Sequence, residues 1–78
     1  MNEYEFNLPE VLFEFVVHGN FVKVMAVDPD TGIEVSIVGD RRTSKEILEN
    51  LATKKLVLAI KRKKIKENLR NNFENNQF

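Results

Sequence analysis

The chain has 78 residues, with twelve Lys or Arg, twelve Asp or Glu, one histidine and no cysteine. That length allows one domain, which buries only about 60% of the surface its unfolded form exposes, and the composition excludes disulfides, thiolate metal sites and a multi-histidine zinc site, leaving oligomerisation as the remaining stabilising device. The net charge of zero hides a division: residues 1–40 hold eight acids and one lysine, a net −7, and residues 41–78 hold eleven bases and four acids, a net +7.

Residues 1–10 carry three glutamates and no Lys or Arg, the wrong sign for a signal or transit segment. They are read as a flexible N-terminal segment, and the expected address is the cytoplasm. No apolar run approaches the ~20 residues of a membrane span, so no membrane partner is expected. Residues 11–18 form a first strand rich in Val and Phe. Gly19-Asn20 is a two-residue pair of the kind that closes tight hairpins. Residues 21–28 make the second strand. Asp28-Pro29-Asp30-Thr31-Gly32 is the strongest turn signal in the chain: Pro29 presets its φ, and Gly32 supplies the positive φ that ends the turn. Residues 33–38 make the third strand, and Gly39-Asp40 is read as its break.

The turns set the register. A two-residue turn pairs His18 with Phe21, hence Val17 with Val22, Phe15 with Val24 and Phe13 with Ala26. A four-residue turn pairs Asp28 with Ile33, hence Ala26 with Val35 and Val24 with Ile37. Alternation then gathers Phe13, Phe15, Val17, Val22, Val24, Ala26, Val35 and Ile37 on one uncharged face. Two independent turns that yield one apolar face support the register.

A long helix follows over residues 44–70. Thr43 and Glu46 have capping-box spacing. At 100° per residue, Ile47, Leu51, Leu58, Ile65 and Leu69 form a narrow stripe, widened by Leu48, Ala52 and Ala59. That stripe is expected to cover the sheet. A seven-residue strand spans roughly 24 Å and this helix roughly 40 Å, so the helix should overshoot the sheet. The fold class is α+β: a three-stranded antiparallel β-meander followed by one long C-terminal helix packed on one sheet face. The domain is expected over residues 11–70, with 71–78 a disordered Asn-rich tail.

Residues 10–39 resemble a family of very short alphaproteobacterial proteins of unknown function. The similar features are a Phe-Glu-Phe first strand, a Val-Lys-Val second strand, an Asp-x-x-Thr-Gly turn and a Glu-Val-Ser-Ile-Val-Gly third strand, followed by Leu51-Ala52 and Lys55-Leu56 on the helix. The likeness covers about residues 10–62 and implies no activity. It departs at Asp40, where the family carries a proline, and the basic run past Arg62 lies outside it.

Several chemical motifs yield to structural readings. Asp28 and Asp30 mimic the first motif of aspartate-nucleophile phosphatases, but 78 residues cannot build the parallel sheet that chemistry needs. Asp30-Thr31-Gly32 matches the aspartic-protease triplet, where the acid shares a proton with a mate across a subunit interface; here it falls in a hairpin turn. Gly32 stands where an EF-hand needs a ligand. His18 has no companion ligand, and Ser36 lies on a different strand, too far for a triad. No catalytic, cofactor or metal site is expected, and the chain is read as non-enzymatic.

The outer sheet face is the functional pointer. It holds Leu12, Val16, Phe21, Met25, Val27 and Val38 among Glu14, His18, Lys23, Glu34 and Ser36, more apolar than a solvated face needs. Leu56, Val57 and Ile60 lie off the helix stripe, and Ile65 and Leu69 lie on the overhang; all are assigned with the sheet face to an interface. The expected function is a self-associating interaction module, a homodimer first. The alternative is nucleic-acid binding through Lys61, Arg62, Lys63, Lys64 and Lys66, helped by Arg41 and Arg42, although those helix cations wrap around the axis and do not share one face. A third reading is docking on a larger acidic protein.

Overall fold

The computed structural model describes the backbone of residues 10–75 and the side chains of residues 10–72. Its elements are β1 (Leu12–His18), β2 (Phe21–Val27), β3 (Glu34–Asp40) and α1 (Lys45–Asn75). The strands form one antiparallel sheet in the order β1-β2-β3. The expected β-meander followed by one long C-terminal helix is the fold.

Both turns behave as their residues dictate. Gly19 has a φ of 58° while Asn20 stays negative, the sign pattern of a type II′ hairpin turn. Gly32 takes a φ of 74° at the end of the second turn. That turn is closed by Gly32 N–H donating to the Asp28 carbonyl at 2.8 Å and Asp28 N–H donating to the Ile33 carbonyl at 2.9 Å. The register is the one the turns require: Phe15 faces Val24 and Val17 faces Val22, while Val24 faces Ile37 and Ala26 faces Val35.

The third strand runs further than its sequence indicated. Gly39 and Asp40 continue the ladder, opposite Val22 and Phe21. Gly39 is there for close approach and not as a breaker. A Cβ at that position would stand 2.6 Å from Leu48 Cδ2, so the missing side chain lets the start of α1 close onto the sheet. The helix cap also moves by one residue. Ser44 Oγ accepts from Ile47 N–H at 3.3 Å, which makes Ser44 the N-cap and leaves Glu46 one position short of a capping box.

The buried face of α1 differs from the expected stripe. Leu48, Ala52, Leu56 and Ile60, each four residues apart, are buried against Val22, Val24 and Ala26 of β2. Ile47, Leu51, Leu58, Ile65 and Leu69 are all exposed. The reason is charge and reach. Lys54 stands beside the expected stripe, between Leu51 and Leu58, so turning that stripe inward would bring a cation to the edge of an apolar sheet. Ile65 and Leu69 lie past the end of the sheet and have nothing to cover. The row at four-residue spacing carries no charge, and its two alanine-sized contacts, Ala52 and Ala26, are both fully buried.

The helix packs on β2 and β3. The inner face of β1 is less covered: Phe13 and Phe15 are half-buried and Val17 is exposed. Ile60 is the last buried residue of α1 among the described side chains. The 31-residue helix is roughly 46 Å long, so residues 61–75 project beyond the sheet and give the molecule its extents of 57 × 29 × 18 Å. Residues 71–75 are therefore helical, beyond the boundary expected at Arg70. The N-terminal segment up to residue 9 and residues 76–78 lie outside the described residues.

Candidate interaction surfaces

The register builds the outer sheet face row by row. Leu12, Val27 and Glu34 make one row, then Glu14, Met25 and Ser36, then Val16, Lys23 and Val38, then His18, Phe21 and Asp40. Phe21 is 60% exposed and Val38 67%. Leu12 is also exposed, and Val16, Met25 and Val27 are half-buried. Glu14 and Lys23 sit in neighbouring rows, so this face carries both signs of charge.

Two residues assigned to an interface from sequence are core instead. Leu56 and Ile60 are 0% and 1% exposed, because the helix turns their side to the sheet. Val57 is half-buried at the flank. Ile65 and Leu69 stand exposed on the overhang as expected. Ile47, Leu51 and Leu58 join them in an outward-facing row that the sequence reading had placed inside. The signals that could have found it were Lys54, beside that row between Leu51 and Leu58, and the short reach of the sheet, which only residues up to Ile60 meet.

The basic residues do not form one patch. Arg41 is tied to the β1–β2 turn: its backbone N–H donates to the Asn20 carbonyl at 3.0 Å and its Nη1 to the Gly19 carbonyl at 3.3 Å. Arg42 is tied to Asp40, donating from Nε at 3.2 Å, from Nη2 at 3.1 Å and from its backbone N–H at 2.8 Å. The Arg42 side-chain bonds, then its backbone bond, hold the Asp40 carboxyl below its ordinary value. Asp40 in turn raises the Arg42 guanidinium. Lys61 begins about 24 Å further along α1. Lys61 is half-buried, and Arg62, Lys63, Lys64 and Lys66 are exposed around the helix.

Two other lysines hold the architecture. Lys55 Nζ donates to the Ser36 carbonyl at 2.7 Å. Even-numbered residues of β3 point their backbone groups away from β2, since the bonded pairs are Asp28 with Ile33 and Asn20 with Arg41. Lys55 therefore caps part of an open sheet edge, where an unpaired strand invites another chain. Lys45 Nζ lies 5.5 Å from the Phe15 ring centroid, a cation–π contact over the exposed part of β1.

The acidic turn is a structural device. Asp28 is buried, its Oδ1 accepting from Asp30 N–H at 3.2 Å and its Oδ2 from Thr31 Oγ1 at 2.7 Å. Thr31 Oγ1 also accepts from Ile33 N–H at 3.2 Å. Both carboxylate oxygens serve the loop itself, as in an Asx-turn. Among the described residues, no group of three His, Asp or Glu is gathered as metal ligands, and no helix is long and apolar enough to cross a membrane.

The chain matches the family described as Domain of unknown function (DUF6898) over residues 8–63. It is a member of that family. The DUF6898 match takes in all three strands and α1 through the core residue Ile60, and ends at Lys63. Most of the overhang lies outside it. The family brings no activity and no site residues to this chain. Neither the curated proteins nor the solved structures contain a match.

Proposed function

We propose that this DUF6898 chain is a small, non-enzymatic, cytoplasmic interaction module that pairs with a second copy of itself through the outer sheet face. The observation that carries this reading is the exposure of Phe21, Val38 and Leu12 on one face, joined by half-buried Val16, Met25 and Val27. A contiguous apolar patch of this kind marks an interaction site more often than bare solvent.

Charge favours the sheet over the helix for self-pairing. On the sheet, Lys23 of one copy has Glu14 and Glu34 of the other as available counter-charges. On the outward helix row, antiparallel pairing centred on Leu58 would set Lys54 against Arg62 of the second copy, twice. The sheet footprint is roughly 24 Å by 14 Å, small beside the ~800 Å² per partner of a standard interface. Pairing should therefore be weak and concentration-dependent.

Light scattering over a dilution series tests it. The native chain should reach twice the monomer mass at the highest concentrations, and Met25→Lys, with unchanged circular dichroism, should stay monomeric. A native chain that is monomeric throughout, or a dimer untouched by Met25→Lys, refutes the proposal.

A further inference from the structure

The outward face of α1 carries an amphipathic pattern that the sheet-pairing reading does not use. Ile47, Leu51, Leu58, Ile65 and Leu69 are all about half-exposed or more. At 100° per residue they fall within a sector of about 40° over more than six turns. Ile47, Leu58 and Leu69 are spaced by eleven residues, which keeps the row nearly straight along the helix. Lys54 and Arg62 lie about 20° outside that sector, one on each side, and Lys55, Lys61 and Lys66 flank it further out. No acid falls in the half of the helix centred on the row; Glu46, Glu49 and Glu67 all occupy the other half.

An apolar row whose neighbouring charges are all cationic favours an anionic partner. Packing against another protein helix would press Lys54 and Arg62 into the contact and strip their water. A lipid surface avoids that cost. Aliphatic side chains enter the acyl boundary while the stems of Lys54 and Arg62 follow and their heads rise to the phosphates. A straight row also suits a flat surface. The projecting part of α1 removes the sheet as an obstacle for Ile65 and Leu69.

We propose that α1 lies along the surface of an anionic bilayer, with Ile47, Leu51, Leu58, Ile65 and Leu69 inserted and Lys54, Arg62 and Lys66 at lipid phosphates. Each cation near such a surface contributes about fivefold in affinity. The helix lies on the membrane and does not span it.

Flotation of the full chain with phosphatidylcholine vesicles, with and without phosphatidylserine, tests this. Binding should require phosphatidylserine and weaken as salt rises. Replacing Lys54, Arg62 and Lys66 together by Gln should weaken it about a hundredfold. Leu58→Ser with Ile65→Ser should weaken it at least about tenfold, because both side chains are exposed and their loss leaves the fold intact by circular dichroism. The monomeric Met25→Lys variant should still bind, which separates this result from the fate of sheet pairing. Absence of binding to phosphatidylserine vesicles overturns the proposal. So does binding insensitive to the Leu58/Ile65 double substitution, or equally tight binding to duplex DNA, since either would mean that charge alone is being read.

Discussion

Leu56 and Leu58 stand two residues apart on α1 and should answer oppositely to truncation. Leu56 is fully buried, and Leu58 is 52% exposed. Leu56→Ala removes three carbons at about 0.8 kcal/mol each, and the cavity left beneath the helix adds to that, for a total of about 3 kcal/mol. Leu58→Ala forfeits about half the transfer energy and leaves no cavity, and alanine's better helix propensity returns a little of it, so its cost stays below about 1 kcal/mol. A domain of this size holds only about 4–12 kcal/mol in all. Urea unfolding followed by circular dichroism, at one fixed protein concentration, reads the difference. With a slope of about 1 kcal/mol per molar, the midpoint should fall by about 3 M for Leu56→Ala and by less than about 1 M for Leu58→Ala. Equal shifts, or a larger one for Leu58→Ala, would mean that α1 is rotated from the orientation described and that its outward row is core.

Gly39→Ala should destabilise by about 1–2 kcal/mol, because overpacking against Leu48 exceeds the gain from a stiffer unfolded chain. The cost should shrink in a Leu48→Ala background, and a double-mutant cycle on unfolding midpoints measures that coupling. Ser44→Ala should cost about 1 kcal/mol by loss of the N-cap, and Thr43→Ala clearly less; thermal unfolding of the two variants ranks them. Asp40 should titrate below its ordinary value of 3.8, seen by carboxyl NMR, and Arg42→Ala should return it toward that value. Because the folded value is the lower one, any stability the pair lends is present above the unfolded value and is lost as pH falls through the folded one.

The strands were legible because two turns fixed one register independently. Gly19-Asn20 and Pro29–Gly32 each specify loop length, and a slip of one residue would have put Lys23 or Glu34 inside. The helix face was not legible from apolar spacing alone. Summing Ile65 and Leu69 with Ile47, Leu51 and Leu58 weighted residues that no sheet could reach. It also ignored Lys54 beside that stripe; within reach of the sheet, Leu48, Ala52, Leu56 and Ile60 offer four uncharged contacts, where the stripe offers three. The same error sent Leu56 and Ile60 to the surface. Gly39 was ambiguous for a different reason: a glycine that breaks a strand and one that admits a neighbouring helix look alike until the neighbour is known. Thr43 and Ser44 are both good caps, and only the first helical N–H groups choose between them.

The two proposed surfaces lie on opposite sides of the molecule, and that has a consequence when both are occupied. Sheet-to-sheet pairing gives four layers, helix, sheet, sheet, helix, with the two outward rows facing away from each other. A single bilayer could then engage one row of a pair and leave the other free for a second bilayer. The native chain should therefore cluster phosphatidylserine vesicles, read as a rise in turbidity, at concentrations where it dimerises. Met25→Lys should bind the same vesicles without clustering them, and the Leu58→Ser/Ile65→Ser chain should do neither. Clustering that persists undiminished in the monomeric variant would break the link between the two faces, because one helix per molecule presents only one row to one membrane.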